Sequence, residues 1–422
     1  MSHPAGWSQR RLKFVATYND EVLPENTEDL TEIHYVEISG VSLIGGLEEV
    51  NRLAFYKAPS RARRRVKSGD ILISTVRTYL RAIAAIKLAP DNLIASTGFC
   101  VVRPGDAVDS EFLGWVAKSE PFVSEVVSRS VGVSYPAINS SELVTINVPL
   151  PPLISQRHIA AFLNEKTARI DALIARKRAL LERLAEKRQA LIARVVTRGL
   201  NTQVPTKPSG VNWLGDVPAH WEIGNLRRFA QMRTGHTPSR LVAEYWDDCK
   251  IPWFSLTDVW QLRDGTRWYL GETEEKISEL GLANSAAELL PAGTVIFSRT
   301  ASVGYSGIMP VAMATTQDFW NWICGPRLHP EYLLLLFRAM IQKFEESTSG
   351  STHKTIYQGV AAGLEICVAP LHEQKAIVDF VFQRATAIDQ VAMRVRKSVE
   401  KLTEYRAALI TSAVTGQISE LR

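Results

Sequence analysis

The chain has 422 residues, 46% hydrophobic and 22% charged, with a formal net charge of +5 at pH 7. Such a length holds about two to four domains, each with its own core, and the mild basicity permits a polyanionic partner without demanding one. The four scattered cysteines (Cys100, Cys249, Cys324, Cys367) lack metal-ligand spacing, the start from Met1 to Phe14 is polar, and the longest apolar run is only Tyr332 to Phe337. These features are expected of a reduced cytoplasmic protein without a disulfide framework, a secretory leader or a membrane span.

Taken in chain order, the first feature is a basic run, Arg61, Arg63, Arg64, Arg65 and Lys67, just before a strand expected over Asp70 to Val76. Arg77, Tyr79 and Arg81 follow. Clustered arginine beside tyrosine suits phosphate anchoring and base-edge contact, against the plainer reading of a solvated basic loop. A second strand is expected over Gly98 to Val102 and a helix over Glu111 to Arg129, before a loop that carries Tyr135. Pro149 and Pro151-Pro152 then break the chain ahead of a long helix. Its seam is Ile170, Leu173, Leu180, Leu184 and Leu191. A polar stretch with Pro205 and Pro208, Gly199 to Gly210, reads as a linker.

The second half repeats this order. Strands are expected over Thr294 to Ser298 and Leu364 to Val368, and a helix over Pro330 to Ser347. The region after the first of these strands supplies Arg299, Thr300, Ser302 and Tyr305. Arg233, His236, Arg240 and Lys250 are further basic candidates, and His353 and Lys354 occupy the loop equivalent to that of Tyr135. Six tryptophans, Trp246, Trp253, Trp260, Trp268, Trp320 and Trp322, are read mostly as core. After Pro370 comes a second long helix, with Ile388, Val391, Val395, Leu402, Tyr405 and Leu409 as its seam. Each seam is a coiled-coil pattern over about four heptads, on a helix of about 30 residues and roughly 45 Å. The plainer alternative is two amphipathic helices packed on separate domains.

The repetition is in register. Gln156, Ile159, Phe162, Ile170-Asp171, Leu184, Arg188, Ala190-Leu191-Ile192 and Val196-Thr197 recur as Gln374, Ile377, Phe380, Ile388-Asp389, Leu402, Arg406, Ala408-Leu409-Ile410 and Val414-Thr415. Each partner lies 218 residues on, as 374 lies from 156. The globular parts match far more loosely. Two-fold equivalence within one chain suits a protein that reads two parts of something, or holds two copies of a partner.

Pro149-Leu150-Pro151-Pro152-Leu153 with Gln156-Arg157, Ile159 to Leu163 and Lys166 to Asp171 resembles the central region of the specificity (S) subunit of type I restriction–modification systems. The ending Lys187 to Ile192 with Val196-Thr197, and the re-entry Gly210 to Pro218 with His220-Trp221, resemble it too. Pro370 to Gly416 resembles the family's distal region more loosely.

The resemblance implies a mixed α/β (α+β) fold with two target recognition domains, at 1–150 and 211–368. They would be separated by two long antiparallel helices, a central spacer at 151–200 and a distal one at 369–422, with 201–210 as linker. It implies that each recognition domain reads one half of a bipartite, asymmetric site on double-stranded DNA. The helices would set the spacing and dock two methyltransferase (M) subunits, and restriction (R) subunits would join the assembly. The chain itself would hold no catalytic site, metal or cofactor, because AdoMet, ATP and Mg2+ belong to the partners.

The residues agree in what they lack. There is no Gly-Lys-Ser/Thr phosphate loop, no Asn/Asp-Pro-Pro-aromatic motif, and Gly304-Tyr305-Ser306-Gly307 falls short of a nucleophile elbow. Two other readings stay open: a coiled-coil scaffold that binds protein without DNA specificity, and the recognition portion of a self-contained restriction–methylation enzyme.

Overall fold

The computed structural model describes residues 6–263, 265–300, 302–346 and 355–421. The chain divides into two compact units, 1–178 with 397–422, and 179–396.

The first unit is built on two four-stranded sheets. One, fully antiparallel, has the order Ala16–Tyr18, Phe99–Pro104, Ile71–Ser74, Ile83–Ala85. The other has the order Asn51–Ala54, Glu32–Val36, Leu93–Ser96, Ala62–Arg65, with one parallel pair in the middle. Ile71–Ser74 is buried along its whole length, as the apolar run Ile71-Leu72-Ile73 requires, and the Ser74 hydroxyl donates to the Val76 carbonyl at 2.6 Å. The helix expected over Glu111 to Arg129 is two helices, Ser110–Lys118 and Glu120–Ser128. Pro121 explains the break, because proline suits a first turn and disrupts a helix interior; Ser119 accordingly adopts an extended backbone.

The second unit repeats the plan. Its antiparallel sheet runs Ala230–Thr234, Phe319–Cys324, Val295–Ser298, Ser306–Ile308. A smaller sheet runs Glu275–Ile277, Ile251–Phe254, Ala314–Thr315, again with one parallel pair. The expected helix from Pro330 is likewise two, Pro330–Ala339 and Ile341–Glu346. Trp253, Trp268, Trp320 and Trp322 are buried, as read from sequence, whereas Trp260 is exposed. The stretch read as a linker is in part structured, since Thr206–Pro208 pairs with Asp216–Pro218.

Each unit holds a strand that pairs antiparallel with the strand leading into a long helix: Ser8–Arg11 with Asn147–Leu150, and Glu222–Asn225 with Glu365–Val368. The long helices are Leu153–Arg198 and Leu371–Val414, with 46 and 44 residues. They exceed the expected length because no proline or glycine interrupts them before Gly199 and Gly416, which carry φ values of +70° and +71°.

Two buried glutamines tie the helix starts to the globular parts. Gln156 Oε1 accepts from the Asp109 N–H at 2.7 Å, and Nε2 donates to the carbonyls of Pro151 and Ala107 at 2.8 and 3.2 Å. Gln374 Oε1 accepts from the His329 N–H at 2.8 Å, and Nε2 donates to the carbonyls of Ala369 and Arg327 at 2.7 and 2.9 Å. Each buried amide thereby satisfies one backbone donor and two backbone acceptors.

Within each unit the two helix segments run antiparallel. In the first, Ile159, Ala160 and Leu163 share a core with Ile410, Ala413 and Val414. Here the buried Arg406 forks onto Asp171, with Nε to Oδ1 at 2.8 Å and Nη2 to Oδ2 at 3.1 Å. In the second, Ile192, Val195 and Val196 share a core with Ile377, Val381 and Ala385, and Arg188 Nε lies 3.2 Å from Asp389. Asp171 and Arg188 of the first copy thus pair with Arg406 and Asp389 of the second, so the two ion pairs stand at equivalent places with the copies exchanged.

The seam read from sequence is corrected at several positions. Ile170 is buried, and Leu184, Leu191, Ile388, Val395, Leu402 and Leu409 are half-buried. Leu173, Leu180, Val391 and Tyr405 are exposed. The covered face instead takes Thr167, Ile174, Ala392 and Arg406. Counting large apolar residues mistakes neighbours for the seam when small and polar side chains occupy it.

Candidate nucleic-acid interface

The Arg61–Lys67 run does not form one free basic surface. Ala62–Arg65 is a strand, so successive side chains point to opposite faces. Arg61 Nη2 lies 2.7 Å from Glu37 Oε1, and this hydrogen bond raises the arginine further above its ordinary range. Lys67 pairs with Glu21, whose carboxyl is lowered first by that lysine and then by Arg103. Arg63 lies 5.3 Å over the Phe55 ring, Arg64 is half-buried with Nε unpartnered, and Arg65 is half-buried. The acids that pair with the two ends of this run are distant in sequence, which is why the run alone suggests a cluster.

The turn after Ile71–Ser74 is built differently. Thr78–Leu80 forms one 3-10 turn flanked by Arg77 at φ 50°, ψ 47° and Arg81 at φ 55°, ψ 40°. Left-handed backbone at a side-chain-bearing residue costs about 1 kcal/mol, so two such residues around three others mark a turn held by its surroundings. The Thr78 hydroxyl donates to Ser130 Oγ at 2.7 Å, and the Ile138 N–H donates to the Thr75 carbonyl at 2.9 Å. Val76 bridges to Ala137. These contacts bring the Arg77–Arg81 tip beside the loop of Tyr135, whose ring lies 4.8 Å below the Arg77 guanidinium. Arg81 is held by both oxygens of Glu120, at 2.7 and 3.0 Å, and this pairing lowers the Glu120 carboxyl. Tyr79, Leu80, Val133 and Tyr135 are exposed around this tip.

The second unit has the equivalent turn after Val295–Ser298. The Ile356 N–H donates to the Arg299 carbonyl at 2.8 Å, and Thr300 bridges to Thr355. Thr300 Oγ1 donates to Asp318 at 2.9 Å. Arg299 lies 4.5 Å over the buried Trp320 and its Nε has no partner. Tyr305 is half-buried, packs on the core around Phe254 and lines a cavity of about 620 Å³ with Arg188, Gln189 and Ser306.

The other basic candidates of this unit are engaged. Arg233 lies 3.1 Å from Glu288, Lys250 lies 2.6 Å from Asp248, and Arg240 lies 2.6 Å from Glu275 while stacking 4.0 Å over Trp246. His236 is exposed, and its carbonyl accepts from Trp253 Nε1 at 3.2 Å. His353 and Lys354 lie outside the described residues. The structure thus brings Arg77, Tyr79, Arg81 and Tyr135 together in one unit, and Arg299 and Thr300 in the other. Sequence reasoning passed over Trp320 as a platform and Glu37, Glu21 and Glu120 as charge partners.

Among the described residues no group of three or more His, Cys, Asp or Glu is placed to hold a metal ion, and no helix is long and apolar enough to cross a membrane.

Known proteins share this architecture. A chain from a structure of complex assembly and conformational transition of the type I R-M system is 23% identical, with a TM-score of 0.79 over 99% of this chain and 100% of that one. The HindI type I restriction enzyme specificity subunit of Haemophilus influenzae is 22% identical over 85% of this chain and 89% of its own. The MjaIX type I restriction enzyme specificity subunit of Methanocaldococcus jannaschii is 27% identical over 166 residues, 39% of this chain and 38% of that protein. The family described as Type I restriction modification DNA specificity domain matches residues 5–183 and again 218–400, one match for each copy of the repeat, and the chain belongs to that family.

Proposed function

We propose that this chain is the sequence-reading subunit of a type I restriction–modification complex, each unit recognising one half of a bipartite, asymmetric site on duplex DNA. One observation carries the reading. The same helical frame is built twice, down to the bonds of Gln156 and Gln374, while the turns it supports carry different side chains. A frame repeated with unlike tips suits two different half-sequences.

In this reading the two long helices set the distance between the half-sites and receive two methyltransferase subunits. The exposed Leu173, Leu180 and Val391 supply apolar contact of the kind a partner helix uses. Restriction subunits join the same assembly. The chain is non-catalytic and works in the cytoplasm; AdoMet, ATP and Mg2+ are held by the partners. A scaffold without DNA specificity would have no use for an arginine held ready, as Arg77 is, on a strained turn.

Reconstitution tests this division of labour. The purified chain with AdoMet is expected to leave duplex DNA unmethylated, and adding the methyltransferase subunit is expected to give site-specific adenine methylation. Methylation by the chain alone would overturn the assignment.

A further inference from the structure

Arg77 and Arg299 share a setting that the other basic candidates lack. Each lies over an aromatic ring, Tyr135 at 4.8 Å and Trp320 at 4.5 Å. Neither has a carboxylate partner among the described residues, whereas Arg61, Lys67, Arg81, Arg233 and Arg240 are each held by an acid, and Arg63, which also lies over a ring without one, belongs to the strand Ala62–Arg65 and not to a turn. Each sits in the turn that follows a fully buried strand, Ile71–Ser74 or Val295–Ser298. Both turns are tied to the segment before the closing helix by equivalent hydrogen bonds, from Ile138 to Thr75 and from Ile356 to Arg299.

We infer that Arg77 and Arg299 are the base-reading residues of their units, and that each reads a guanine in its own half-site. The inference rests on the DNA-reading function proposed above. A guanidinium held over a ring gives up few rotamers on binding and can still offer its outer N–H donors. That edge offers only donors. In the major groove guanine alone presents two adjacent acceptors, O6 and N7. Adenine pairs an acceptor with a donor, thymine offers one acceptor beside a methyl group, and cytosine offers a donor. A phosphate contact would need charge but no fixed plane, and a lysine would serve it equally. The two arginines occupy different places in equivalent turns: Arg299 stands where the first unit has Thr75, and Arg77 lies two residues further on. The guanines are therefore expected at different positions within the two half-sites.

The test uses the full chain assembled with its methyltransferase subunits and a pool of random duplex DNA, comparing wild type with Arg77→Lys and Arg299→Lys. Wild type is expected to enrich a bipartite motif with a fixed guanine in each half. Each lysine variant is expected to relax that one position by at least about tenfold, in one half only. Its affinity for unselected duplex should stay within about twofold, because the charge is kept. The unaffected half of each variant's motif reports that the chain is folded. Variants that keep both guanines overturn this inference alone, by making the arginines phosphate anchors. A wild-type complex that enriches no bipartite motif overturns the DNA-reading function and this inference with it.

Discussion

Gln156 and Gln374 stand at equivalent places and make the same three bonds, whereas Arg77 and Arg299 serve equivalent turns from different places within them. The first pair belongs to the frame that joins each long helix to its recognition part; the second belongs to the tips. A frame that must present the same helices twice admits little variation, because a buried amide satisfying three backbone groups has no substitute of the same shape. A tip that faces outward can change its chemistry at small cost to the fold. The divergence of the tips is thus informative about function, and the sameness of the frame is informative about assembly.

The largest expected effect falls on the frame. Arg406→Ala leaves Asp171 without its buried partner and is expected to cost about 3 kcal/mol of stability, measured by denaturant unfolding. Arg188→Ala should act in the same direction on the equivalent pair with Asp389. A neutral result for Arg406→Ala would show that the ion pair does not hold the helix segments. Next come Gln156→Leu and Gln374→Leu, each stranding three backbone groups and each expected to cost about 2 kcal/mol. Equal losses within about 0.5 kcal/mol would sharpen the equivalence of the two frames, and a clear inequality would break it.

A smaller effect separates the units by pH. Lys118 is half-buried beside Trp115, and burial followed by repulsion from Arg406 lowers its ammonium to about 8 from 10.5, with Lys87 adding to the effect and Asp171 opposing it. Between those values the unfolded chain holds a proton that the folded chain has released. Stability from this group therefore rises as pH increases through that window and is lost below it. Lys118→Met is expected to flatten this rise and to add about 1 kcal/mol at pH 7, read from unfolding midpoints across pH 7 to 11. A slope unchanged by the substitution would assign the titration elsewhere. The smallest stability effect is expected at the surface pairs: Arg61→Ala should change it by no more than about 0.5 kcal/mol.

Much of the frame was legible in the sequence. The repeat placed both long helices, and proline at Pro151-Pro152 and Pro370 placed their starts. The phase of the seam was not legible, because Thr167, Ala392 and the Asp171–Arg406 pair occupy the covered face. Neither was the break at Pro121, which a run of apolar residues at helical spacing conceals. At the tips, arginine content was visible but its state was not. Glu37, Glu21 and Glu120 lie 24, 46 and 39 residues from Arg61, Lys67 and Arg81, so only folding reveals which charges are spent (61 − 37, 67 − 21, 120 − 81). The left-handed backbone at Arg77 and Arg81 carries no sequence signal of the glycine kind.

The central claim is that one repeated frame carries two different readers. Mapping methylated adenines in DNA from cells that express this chain with its methyltransferase partner tests it most directly. A single motif of two unlike half-sequences at one fixed spacing is the result expected. Several unrelated motifs, a perfect palindrome, or no motif at all would contradict it.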